Sequence, residues 1–177
     1  FAMGGAAVQF VVAPAYKASV ARASEEYARR LAEQVVWTIG IKDSAAMAEE
    51  ARWAIGRGFR LLKLKVGAGP VEEDVQNVEA VREAVGPDVG LRVDANGALT
   101  FDHALALLHD LSRSKIELIE QPLGIGDLDG MARLIELAGV PVMPDESLTS
   151  LESALALVTR RAASIFGMKL AKHGGIY

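Results

Sequence analysis

Hydrophobic positions along most of this chain alternate between two spacings. Short apolar runs stand at 35–40 (VVWTIG), 61–66 (LLKLKV), 89–93 (VGLRV), 116–119 (IELI), 140–143 (VPVM) and 164–170 (SIFGMKL). Each is four to seven residues long and mostly β-branched or aliphatic, which suits buried parallel strands. Between the runs the apolar spacing widens to three and four. Val71, Val75, Val78, Val81 and Val85 mark one helix face. Pro70 stands where a first helical residue would, and Glu72, Glu73 and Asp74 complement the positive end of the helix dipole. Leu128, Met131, Leu134 and Ile135 form a second stripe, and Leu151, Ala154, Leu155 and Val158 a third. The third is opened by Thr149-Ser-Leu-Glu152, which fits a capping box. Segments 44–56 and 100–111 fill the remaining gaps. The expected order is βαβαβαβαβαβ, six strands with a helix between each pair, an α/β fold with a parallel sheet.

The first 34 residues depart from that period. Residues 1–16 carry no charge, and Ala13-Pro14-Ala15 resembles a small-residue cleavage site. No basic region precedes this apolar stretch, and it is shorter than the roughly 18 residues of a membrane span. A buried segment of an incomplete domain is the preferred reading. Val20, Ala23, Tyr27 and Leu31 then trace a helix face. The expected division is therefore an atypical segment, 1–34, and a barrel-like unit, 35–177.

Composition narrows the chemistry. Nineteen basic and 23 acidic side chains leave a net charge of −4, so no general basic field attracts nucleic acid or a membrane surface. The chain has no cysteine, which removes disulfides, thiolate nucleophiles and sulfur-ligated zinc, and its three histidines argue against a His-rich metal site. No phosphate-cradling glycine motif is present: Gly67-Ala-Gly69 lacks the third glycine of a dinucleotide loop. A G-x-S-x-G nucleophile turn is absent as well. The expected setting is cytoplasmic.

What remains is a set of charged residues at the ends of the apolar runs. Asp94 follows LRV, Glu120 follows ELI and Asp145 follows PVMP, at intervals of 26 and 25 residues, about one βα unit each. In a parallel barrel such positions meet at the C-terminal mouth. An acid there can simply cap the next helix. Three of them, each with polar companions (Asn96, Gln121, Glu146 and Ser147), favour a shared hard cation that relieves their mutual repulsion. All-oxygen ligation points to Mg2+ or Mn2+ over zinc.

Lys63 and Lys65 stand two apart in LLKLKV, so both point to one face while Leu62 and Leu64 point to the other. One reading is a solvent-exposed face. The other puts both at the barrel mouth beside the cation, where partial burial and a neighbouring positive charge lower a lysine pKa toward that of a general base. Lys169, 24 residues beyond Asp145, is the matching group across the mouth; Lys172 and His173 read as solvated loop residues.

These residues resemble the enolase superfamily, and within it the muconate lactonizing enzyme subgroup. The resemblance rests on Lys63-Leu-Lys65, Asp94-Ala-Asn96, Glu120-Gln-Pro122, Asp145-Glu-Ser147 and the run KLAKHGG from Lys169, and spans about 35–177. It implies a TIM-type (β/α) barrel, here about six of its eight strands. It implies Asp94, Glu120 and Asp145 as ligands of Mg2+ or Mn2+, Lys65 and Lys169 as the acid/base pair, and Lys63 as the group that polarises the substrate carboxylate and tunes Lys65. GAGPVEEDV and AASIFGMKLAKHGG look most like muconate cycloisomerase, which implies interconversion of cis,cis-muconate and muconolactone through an enolate, within aromatic catabolism. N-succinylamino acid racemase, o-succinylbenzoate synthase and dipeptide epimerase share the same motifs. Three departures stand out. Residues 1–34 do not look like the family's capping domain, Pro144 precedes Asp145 where the family usually has a small residue, and the chain ends after the sixth run. A small carboxylate substrate and a homo-oligomer are expected; an inactive barrel fragment is the competing expectation.

Overall fold

The computed structural model describes residues 35–169 and Lys172. The N-terminal segment 1–34, with its leader reading and its helix face, lies outside the described residues, as do 170–171 and 173–177. Five strands run through the described chain: β1 (Val36–Ile39), β2 (Leu61–Lys65), β3 (Gly90–Asp94), β4 (Ile119–Glu120) and β5 (Val142–Met143). Five helices separate or follow them: α1 (Ser44–Gly56), α2 (Val71–Val85), α3 (Phe101–Asp110), α4 (Leu128–Ala138) and α5 (Leu151–Thr159), with a 3-10 turn at Leu111–Ser114. All strand pairs are parallel, and the sheet order is β1-β2-β3-β4-β5. Each strand pairs with the next in sequence, so right-handed crossovers lay every helix on the same face, as in a barrel wall.

Alternation along the strands sorts the chain into two environments. Leu62, Leu64, Leu91, Val93, Ile119 and Val142 are fully buried in the layer between sheet and helices. That layer holds Met47, Ala51, Val78, Val81, Leu107, Met131 and Leu134 from the helices. Lys63, Lys65, Arg92, Asp94 and Glu120 occupy the alternate positions and face the other way.

Two expectations need correction at the boundaries. Pro70 is the N-cap of α2 rather than its first residue. The capping box of α5 lies one residue later than expected: Ser150 is the cap, its Oγ accepting from Ser153 N at 3.1 Å, while Ser153 Oγ accepts from Ser150 N at 2.9 Å. Glu152 stays in the first turn as a favourable charge only.

The third correction is larger. The run 164–170 does not form a sixth strand among its described residues. Ser164 N and Ile165 N both donate to Val142 O, at 2.8 and 3.3 Å, and Val142 N donates to Ser164 Oγ at 3.2 Å. The segment therefore lies against β5, but one carbonyl takes both amides and no ladder propagates. Prolines on either side of β5, Pro141 and Pro144, remove the donors that would lengthen it.

Candidate active site

Strand register sets the site. Lys65, Asp94 and Glu120 are mutual register partners on β2, β3 and β4, so three charged side chains stand level on one face. One layer below, Thr38, Lys63 and Arg92 align on β1, β2 and β3. Met143 pairs with Glu120, which leaves Asp145 two residues beyond the end of β5. The chain turns sharply just past these side chains. Gly67, Asn96 and Gln121 all have positive φ (91°, 46° and 36°), the left-handed region that costs a side-chain-bearing residue most.

The structure brings all six expected residues together in one alternating row of charge. Lys65 Nζ contacts Asp94 Oδ2 at 2.7 Å and Asn96 Oδ1 at 2.5 Å. Lys63 Nζ lies 3.0 Å from the same Asp94 oxygen and 2.9 Å from Glu120 Oε2. Lys169 Nζ lies 3.6 Å from Glu120 Oε1 and 2.6 Å from Asp145 Oδ2. Asp94, Glu120 and Asp145 are all buried, and so is Lys63. The solvated reading of the two-lysine face is thereby excluded for Lys63. Burial is the largest single influence on the Lys63 ammonium and pulls its pKa down. Asp94 and Glu120 together outweigh it and hold the pKa above 10.5, contrary to the lowered value expected for a lysine at this mouth. Burial likewise pushes the Asp145 carboxyl up, but hydrogen bonds and charge from Lys169 and Lys172 bring it below its ordinary range.

Four residues of the site were not assigned a role by sequence reasoning. Lys172, expected in solvent, contacts Asp145 Oδ1 at 2.6 Å. Thr38 presents a buried hydroxyl with no hydrogen-bond partner, level with Lys63. Its place one strand over from the two lysines was the available signal. Glu146 accepts from Asn96 Nδ2 at 2.9 Å, and so braces the amide that receives Lys65. Gln121 is buried and makes four side-chain hydrogen bonds.

Among the described residues, no three acidic or histidine side chains enclose a common point, because Lys63 stands between Asp94 and Glu120 and Lys169 between Glu120 and Asp145. The donor chemistry nonetheless fits a hard divalent cation. All three acids are oxygen donors, and Glu120 Oε1 is buried with no hydrogen-bond partner.

Residues 46–177 match the family model described as enolase C-terminal domain-like. The chain belongs to this family. It is 40% identical over 140 residues to a hydrophobic dipeptide epimerase of Enterococcus faecalis, covering 79% of this chain and 39% of the relative. It is 37% identical over 143 residues to muconate cycloisomerase 1 of Pseudomonas putida, covering 80% and 38%. Similarity to the N-succinyl-L-Arg/Lys racemase of Bacillus cereus is 38% over 165 residues, covering 93% and 43%. The crystal structure of the Enterococcus faecalis epimerase with Mg and the dipeptide L-Leu-L-Tyr superposes with a TM-score of 0.76 at 38% identity, over 79% of this chain and 39% of that one. This family member thus spans about two fifths of the length of the curated relatives it matches, and its five parallel strands form part of a barrel wall. Its relatives are isomerases, epimerases and racemases. No helix among its described residues is long and apolar enough to cross a membrane.

Proposed function

We propose that this chain carries the acid/base and cation-binding part of an enzyme that moves a proton at the carbon next to a carboxylate. The observation that supports it best is the row Lys65–Asp94–Lys63–Glu120–Lys169–Asp145, which alternates ammonium and carboxylate across the ends of successive strands. Asp94, Glu120 and Asp145 would hold Mg2+ or Mn2+. The cation, when bound, neutralises the charge that gathers on the substrate carboxylate as the neighbouring C–H bond gives up its proton. Lys65 lies against Asp94 at one end of the row and Lys169 between Glu120 and Asp145 toward the other, a separation that suits one Nζ taking a proton from one face of the substrate and the other delivering one to the opposite face. Lys63, held between two carboxylates, stays charged and attracts the substrate's own carboxylate.

Among finer activities, the reading is cycloisomerisation of cis,cis-muconate and muconolactone, supported by the segments GAGPVEEDV and AASIFGMKLAKHGG. A second reading, dipeptide epimerisation, is favoured by the 40% identity to the Enterococcus faecalis enzyme. The deciding experiment follows hydrogen–deuterium exchange at the α carbon by NMR with Mg2+ or Mn2+ present. Muconolactone, a hydrophobic dipeptide and an N-succinyl amino acid are supplied in turn. Lys65→Met and Lys169→Met are each expected to slow exchange by about 10²-fold or more. Exchange on the dipeptide without lactone turnover would replace the first reading by the second. Exchange on none of them would leave the barrel-fragment reading standing.

A further inference from the structure

The ladder between β4 and β5 ends early, yet Asp145 beyond it is firmly held. The last backbone bond of the pair is Gln121 N to Met143 O, at 2.9 Å. Alternate residues of a parallel pair face the neighbour, so the next bond would run from Asp145 N to Gln121 O, but that carbonyl accepts from Gly97 N at 2.7 Å. The backbone amide of Asp145 is instead taken by a side chain: Gln121 Oε1 accepts from Asp145 N at 2.9 Å and from Ser147 N at 3.0 Å. The other end of the same amide donates from Nε2 to Leu123 O and to Ser147 Oγ, both at 2.8 Å. Ser147 Oγ in turn donates to Ile125 O at 3.1 Å.

Both lone pairs and both hydrogens of the Gln121 amide are thus used, and its orientation is determined. Backbone N–H groups only donate, so the oxygen must face 145–147; Leu123 O only accepts, so the nitrogen must face 123. The residue is fully buried and has a φ of 36°, a conformation retained only where surrounding contacts enforce it. With its carbonyl turned to Gly97 N, its side chain meets the Asp145 amide in the carbonyl's place.

We propose that Gln121 is a positioning residue whose side chain takes the ladder bond that its own carbonyl gives up to Gly97, and so holds Asp145 in place relative to Glu120, with Ser147 as its partner. The inference rests on the cation-binding reading above, since its consequence is the spacing of two candidate ligands. Outer groups that orient metal ligands typically change affinity by about 10–100-fold when removed. The test uses the full chain and Mn2+ alone, with its dissociation constant measured by electron paramagnetic resonance and the metal-free melting temperature recorded beside it. Gln121→Met keeps the volume and removes all four bonds. Ser147→Ala removes two bonds and leaves Gln121 bound to Asp145 N, so it decides the matter if Gln121→Met does not fold. Mn2+ binding weakened about tenfold or more in Ser147→Ala, or in a folded Gln121→Met, supports the proposal. A lowered melting temperature with unchanged Mn2+ affinity in the folded protein would overturn it, because a purely structural bond alters only the first. A wild-type chain that binds no Mn2+ overturns the cation-binding reading itself, and this inference with it.

Discussion

Lys63 contacts Asp94 and Glu120 at once, and each of the three is almost wholly removed from water. Removing one member of such a buried set strands the others, at a cost of about 3–5 kcal/mol. Lys63→Met is therefore expected to lower metal-free stability by about that amount in urea titrations, and a loss under 1 kcal/mol would mean that the carboxylates relax into water. Asp74 lies outside the site, at the start of α2, and its Oδ2 accepts from Gly67 N at 2.8 Å, just past the β2 lysines. Burial raises its carboxyl above 3.8; the Gly67 bond opposes this and Glu73 adds to it. A raised pKa means that the folded chain holds this proton more tightly than the unfolded one. Its contribution to stability is thus greatest below pH 3.8, falls as pH rises toward the folded pKa, and is constant above that. Asp74→Asn retains an acceptor for Gly67 and removes the titration. Melting curves of the two proteins should converge near pH 3.5 and separate in favour of the variant at pH 7; a constant offset across that range would count against this account.

At the scale of elements, period and punctuation in the sequence locate all five helices and five of the strand runs. They mislead where two signals overlap. Thr149 and Ser150 are both competent caps, and spacing to Glu152 favours the first, but the helix begins at Leu151 and Ser150 becomes the cap. Ser150→Ala should cost about 1 kcal/mol, whereas Thr149→Ala and Glu152→Gln should each stay within about 0.5 kcal/mol. Thermal unfolding of the three variants checks this, and equal losses at Thr149 and Ser150 would restore the earlier boundary. Apolar content alone also suggests a strand at 164–170. Strand formation needs a partner able to exchange alternate amides, and β5, two residues long between prolines, offers Val142 O to both Ser164 and Ile165.

For the whole molecule, the row of alternating charge ties the ends of β2, β3 and β4 to the chain beyond β5, so cation binding and folding should be linked. Mn2+ at about 100 times its dissociation constant is expected to add about 2.7 kcal/mol to stability, reversed by a chelator; no shift in melting temperature at millimolar Mn2+ would sink that linkage. The expected self-association draws on β1, which pairs on one side only among the described residues. Sedimentation across a hundredfold concentration range tests it, and one monomer mass throughout would contradict it. The sequence by itself determined the α/β alternation, the common face of Lys63 and Lys65, and the level of Asp94 and Glu120, because period and strand length are local properties that carry directly into register. Tertiary structure alone decided that Lys172 pairs with Asp145, that Thr38 joins the lysine layer, and that the Gln121 side chain stands in for its own carbonyl at the Asp145 amide. Those outcomes depend on which side chains meet across 24 to 27 residues of intervening chain, and only packing brings them within hydrogen-bond reach.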